Sequence, residues 1–120
     1  MQTAPALYYI VLTVSDIEAS FKYMTESLGF TDEPEESRPG FRQIVGNGGI
    51  HFGLLQASDD TPPPGGMKLY FSTPDLDGLR AAWARKGLEA TSIETRPFGR
   101  IFSVRTPDDH VLTMVDQPVA

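Results

Sequence analysis

His51 and His110 are the only histidines, and the chain has no cysteine. Thiolate nucleophiles, disulfides and cysteine-held zinc or iron–sulfur centres are thereby excluded. His51 alternates against Phe52 and Leu54 in IHFGLLQ (50–56), an arrangement that turns it away from a cavity bordered by Phe52. His110 follows Asp108 and Asp109 in PDDHVLTMV (107–115) and reads as a turn residue at the mouth of a strand. The histidines share no ligand spacing, and no serine occupies a nucleophile elbow. Asp59–Asp60 and Asp108–Asp109 are chain neighbours in turn-like sequence, whereas carboxylate pairs that do acid–base work must face each other across a pocket. GNGGI (46–50) reads as a hairpin turn and not a phosphate loop, because no helix follows it.

The aromatic residues are more informative. Seven Phe, four Tyr and one Trp exceed what two helix stripes require. Tyr9, Phe52 and Tyr70 are expected on faces turned toward a cavity, with Phe41, Phe98 and Phe102 in the strands or their approaches. A flat ligand could stack there, anchored by Lys68, Ser72 or Thr113. Core packing alone would explain any one of these aromatics, and Trp83 belongs to a helix stripe. Arg42 and Arg100 stand at near-equivalent positions of the two halves and could close over a ligand, or simply lie on the surface.

The elements that must position these residues are short. LYYIVLTV (7–14) is a β-branched and aromatic strand, and Ser15 with Glu18 forms a capping box. Ile17, Phe21, Met24 and Leu28 then recur at helical spacing as far as Gly29. FRQIVG (41–46) and IHFGLLQ (50–56) are strands, and ASDDTPPPGG (57–66) is a polar linker. The order then repeats. MKLYFS (67–72) is a strand, and Thr73 caps a helix with Pro74 at its first position. Leu76, Leu79 and Trp83 form that helix's apolar stripe; ATSIE (90–94), RIFSVR (100–105) and HVLTMVD (110–116) are strands.

Sliding the chain by 59 positions lays Asp16 on Asp75, Gly40 on Gly99 and Leu54 on Thr113. One β-α-β-β-β unit is therefore written twice, at 5–56 and 67–117, within a single domain spanning 1–120. The fold class is α+β, with curved mixed sheets around a cleft. Strand alternation assigns Ile10, Leu12, Val14, Leu69, Phe71, Leu112 and Met114 to the helix side. Tyr9, Val11, Thr13, Lys68, Tyr70, Ser72, Val111, Thr113 and Val115 fall on the opposite side.

A net charge of −6 with no Lys/Arg run argues against nucleic-acid binding. The segment MQTAPALYYIVLTVSD lacks a basic start and reaches Asp16 too soon for a signal peptide or membrane span, so a cytoplasmic protein is expected.

With these elements in place, LTVSDIEASFKYMTESLGF (12–30), LYFSTPDLDGLRAAWARKG (69–87) and RPFGRIFSVRTPDDHVLTMVD (96–116) resemble the vicinal oxygen chelate superfamily of glyoxalases, bleomycin-resistance proteins and extradiol dioxygenases. The resemblance implies paired βαβββ modules, commonly swapped in a homodimer that builds two concave sites. In metal-dependent members, three motif positions supply ligands, and these fall here on Tyr9, Lys68 and Thr113. A protonated phenol, an ammonium group and an alcohol make a poor divalent-metal set, and a one-residue slip offers only Tyr8, Ile10, Leu112 or Met114.

The reading that this resemblance implies is a metal-free and cofactor-free binder of the bleomycin-resistance type, for a small aromatic drug or natural product, cationic or neutral. Its ligand-binding residues would be Tyr9, Phe41, Phe52, Lys68, Tyr70, Phe102 and Thr113. The alternatives are a metal-independent lyase or isomerase, with Lys68 lowering the Tyr9 phenol pKa, and a non-catalytic interaction domain.

Overall fold

A computed structural model describes residues 4–5, 7–49 and 51–117. Residue 50, expected at the start of a strand, lies outside them. Strand β1 (Ile10–Val14), helix α1 (Ile17–Lys22) and strands β2 (Thr31–Asp32), β3 (Phe41–Val45) and β4 (His51–Gln56) form the first module. Strand β5 (Lys68–Thr73), helix α2 (Leu76–Arg85) and strands β6 (Glu94–Arg96), β7 (Gly99–Arg105) and β8 (Val111–Asp116) form the second. The two four-stranded sheets have equivalent orders, β1-β4-β3-β2 and β5-β8-β7-β6. In each, the first and last strands of the module pair in parallel and the others antiparallel. A parallel pair needs a crossover, which the helix supplies.

Both helix starts differ from the expected ones in the same way. Asp16, not Ser15, caps α1 by accepting from the Ala19 N–H at 3.2 Å. Asp75, not Thr73, caps α2 by accepting from the Gly78 N–H at 3.0 Å, leaving Pro74 outside the helix. A carboxylate one or two residues further along reaches the free N–H groups equally well, and its charge also suits the helix N-terminus. The first helix continues as a π-helical turn over Tyr23–Ser27, where the Leu28 N–H donates to the Tyr23 carbonyl at 3.1 Å. The widened turn keeps Met24 and Leu28 buried. The strand expected at 90–94 forms instead at Glu94–Arg96.

The helix-bearing faces of both sheets contribute to one core. Leu12, Val14, Ile44, Phe52 and Leu54 come from the first sheet, and Phe102, Val104, Leu112 and Met114 from the second. Phe30, Phe52 and Phe71 meet across the seam at centroid distances of 5.3–6.2 Å. Burying such side chains is the main source of stability here, at roughly 1.5–3 kcal/mol for each large apolar residue.

Polar clasps tie the modules together at their ends. The Asp108 carboxylate accepts from the Ser15 N–H at 3.0 Å, the Ser15 hydroxyl at 2.5 Å and the Ser20 hydroxyl at 3.3 Å. Lys86 donates to the carbonyls of Glu26 and Ser27, which the end of the first helix leaves free. The Tyr23 hydroxyl donates to the Arg105 carbonyl at 2.9 Å, and burial pushes its pKa up.

Candidate functional site

Strand register decides which residues can reach a ligand. Ile10 pairs with Phe52 and Leu12 with Leu54, so Phe52 joins the core face and is only 2% exposed. His51 and Gly53 consequently lie on the open face with Tyr9 and Val11, the reverse of the expected placement. The apolar partners of Phe52 settle its direction, and the period-two pleat then settles that of His51. Phe102 is likewise corrected. It pairs with Met114, packs edge-on against Trp83 at 5.7 Å and is 1% exposed.

On the open face of the first sheet, Phe41, Gln43 and Val45 of β3 stand beside Leu55, Gly53 and His51 of β4. The Phe41 ring lies over Gly53, where a β-carbon would come within 2.5 Å of Phe41 Cζ and 2.9 Å of the Tyr9 hydroxyl oxygen. Tyr9 and Phe41 stack with centroids 6.5 Å apart, and the Arg38 guanidinium sits 4.4 Å from the Phe41 centroid.

A chain of hydrogen bonds crosses this face. The Tyr9 hydroxyl donates to Gln43 Oε1 at 2.6 Å, and Gln43 Nε2 donates to Glu33 Oε1 at 3.2 Å. That same oxygen meets His51 Nδ1 at 2.5 Å. The contact with His51 holds the Glu33 carboxyl below its ordinary value. Tyr9 moves the other way, because burial, then the Glu33 charge, raise its pKa against a smaller opposing effect of Arg38. Lys68 is not among the causes, so a lysine-activated Tyr9 phenol is not supported.

The second open face carries Lys68, Tyr70 and Ser72 of β5 beside Val111, Thr113 and Val115 of β8. Tyr70 and Phe98 form an edge-to-face pair at 6.2 Å, 55% and 51% exposed. Thr113 is buried, its hydroxyl bonded to that of Ser103 at 2.8 Å. Tyr9 thus lies on one sheet, and Lys68 and Thr113 on the other. This donor set does not fit a divalent metal. Among the described residues, no group of three or more His, Cys, Asp or Glu side chains could hold one.

Arg42 and Arg100 do not reach over either open face. Arg42 pairs with Glu18 at 3.0 Å and covers the Phe21 ring, while Arg100 pairs with Asp77 at 2.8 Å and Asp116 at 3.2 Å. Each guanidinium braces a sheet against the first turn of its own module's helix. A cleft of about 500 Å³ opens at the seam between the modules, bordered by Ile10, Phe30, Phe52, Leu69, Tyr70 and Phe71.

The chain matches the model of the Glyoxalase/Bleomycin resistance protein/Dioxygenase superfamily over residues 6–114. It belongs to that superfamily. No curated protein sequence is a significant match. Among solved structures, TnmS3, an antibiotic binding protein from Streptomyces sp. CB03234, is 21% identical with a TM-score of 0.81, covering 96% of this chain and 98% of that one. A glyoxylase/bleomycin resistance protein/dioxygenase domain from Frankia sp. EAN1pec is 26% identical with a TM-score of 0.75, covering 94% and 98%. The bleomycin-binding protein of Streptomyces verticillus, solved with copper(II)-bleomycin, is 21% identical with a TM-score of 0.70, covering 98% and 100%. These likenesses describe the shared fold of the superfamily.

Glu33, Gln43 and Arg38 were not singled out from the sequence, and Asp108, read there only as a turn residue, instead clasps Ser15 and Ser20. Gln43 had a usable signal, since it alternates with Phe41 on β3. Glu33 had none, because it follows a two-residue strand.

Proposed function

We propose that this superfamily member binds and sequesters a small aromatic ligand without a metal and without turnover. The exposed Tyr70–Phe98 pair carries this reading. Two aromatic rings left half in water, one on β5 and one in the turn between β6 and β7, cost the fold apolar burial, and they offer a stacking surface to a flat molecule. Lys68 stands on the same face as a polar anchor. The antibiotic-binding and bleomycin-binding neighbours are consistent with this choice among the superfamily's activities.

The binding unit is a homodimer. Strands β1 and β5 are sheet edges, and the exposed Val11, Met67 and Tyr70 lie on or beside them. Unpaired edges with apolar side chains are suited to meet a second copy. The first open face of one copy then stands opposite the second open face of its partner. Tyr9 and Phe41 form one wall, with Tyr70, Phe98 and Lys68 on the other. No helix of the described residues is long and apolar enough to cross a membrane.

The test is calorimetric titration of chelator-treated protein with bleomycin and a panel of flat aromatic compounds, with mass measurement and chromatography of the recovered ligand. Saturable binding by a dimer, with ligand recovered unchanged, supports the proposal. Product formation, or binding that requires an added divalent metal, overturns it.

A further inference from the structure

The hydrogen-bond chain on the first open face places a proton on the inner nitrogen of His51, and so sets the role of the outer nitrogen in the neutral ring. Glu33 is held as a carboxylate and can only accept, so His51 Nδ1 must carry the proton in their 2.5 Å contact. In the neutral ring, His51 Nε2 is then an acceptor. None of the described residues bonds it, and the side chain is 46% exposed. The Tyr9 hydroxyl and the Gln43 amide are already engaged within the chain. Exposed Val11, register partner of Gly53, supplies apolar surface on the same face.

We propose that His51, oriented by Glu33, is the acceptor with which this face recognises a phenolic hydroxyl on the bound aromatic ligand. The ring of the phenol lies against Val11 and Tyr9, and its O–H donates to His51 Nε2. His51 acts as a specificity residue that separates hydroxylated rings from their ethers. The inference rests on the aromatic-binding reading above, and it supplies the ligand class.

The experiment compares 2-naphthol with 2-methoxynaphthalene by fluorescence titration of the full chain. The expected result is a preference for the naphthol of about tenfold, the value of one good hydrogen bond. His51→Phe keeps a ring at an exposed position and is expected to abolish the preference, with the ether's affinity little changed. His51→Gln, which restores an acceptor oxygen, is expected to recover part of it. Equal binding of both compounds by the native protein overturns the His51 assignment and leaves aromatic binding intact. A preference that survives in His51→Phe does the same. Failure of both compounds to bind overturns the aromatic-binding reading and this inference with it.

Discussion

His110 Nε2 lies 2.9 Å from the carbonyl oxygen of Thr13, across 97 positions of chain. The imidazole is 1% exposed, and the Met67 N–H reaches its Nδ1 at 3.2 Å. The Gly65 N–H also points at Nε2, from 3.3 Å. With Nδ1 accepting from Met67, the ring proton sits on Nε2 and is directed at the closer Thr13 oxygen. A residue read as local turn geometry therefore connects β1, the approach to β5 and the mouth of β8. Replacing His110 with Leu leaves the buried Thr13 carbonyl and the part-buried Met67 N–H without these partners. A stability loss of about 1–3 kcal/mol is expected in urea unfolding, the value for one buried unsatisfied group. Loss below about 1 kcal/mol would mean that water or a neighbour satisfies both.

The two faces of the second sheet should respond oppositely to truncation. Phe102→Ala removes a ring packed on Trp83 and should cost about 3–5 kcal/mol. Tyr70→Ala should cost less than about 1 kcal/mol, because the side chain is more than half exposed, yet weaken aromatic ligand binding. Paired denaturation and ligand titrations of both variants check this.

Gly53 is the floor beneath the Tyr9–Phe41 stack. Gly53→Ala would press a methyl group against Phe41 Cζ and the Tyr9 hydroxyl, both of which can move only by rearranging the open face. A cost of about 1–3 kcal/mol is expected, with the Tyr9–Gln43 hydrogen bond displaced. The tyrosine ring signals in NMR spectra would report the displacement.

Glu33 supplies a pH-dependent prediction. Its folded-state pKa is depressed, chiefly by the hydrogen bond with His51. Its contribution to stability is therefore present above the ordinary carboxylate pKa of about 4.3, and it is lost as pH falls through the lower folded value. Carboxyl NMR titration should place Glu33 below a free glutamate, and His51→Phe should move it back up. No movement in the variant would separate Glu33 from His51.

Much of the architecture was legible in the sequence because it rests on local periodicity. Alternating apolar residues in 7–14, 67–72 and 110–116 marked strands, and the Leu76/Leu79/Trp83 spacing marked a helix. The offset between Asp16 and Asp75 marked the repeat, and both prove to be helix caps. The capping errors of one or two residues arose because Ser15, Asp16, Thr73 and Asp75 all carry an oxygen able to cap. Only backbone conformation chooses among them.

The absence of a histidine, glutamate or cysteine at Tyr9, Lys68 and Thr113 was fully determined by the sequence, since it is a matter of residue type. Which way His51 and Phe52 point was not. A period of two divides a strand into two sets without naming the buried one, and the pairing of Phe52 with Ile10 and Ile44 makes that choice. The contacts Glu33–His51, Asp108–Ser15 and His110–Thr13 were also beyond reach. They join residues distant in sequence, and the register of pairing and the packing of two modules on one core bring them together.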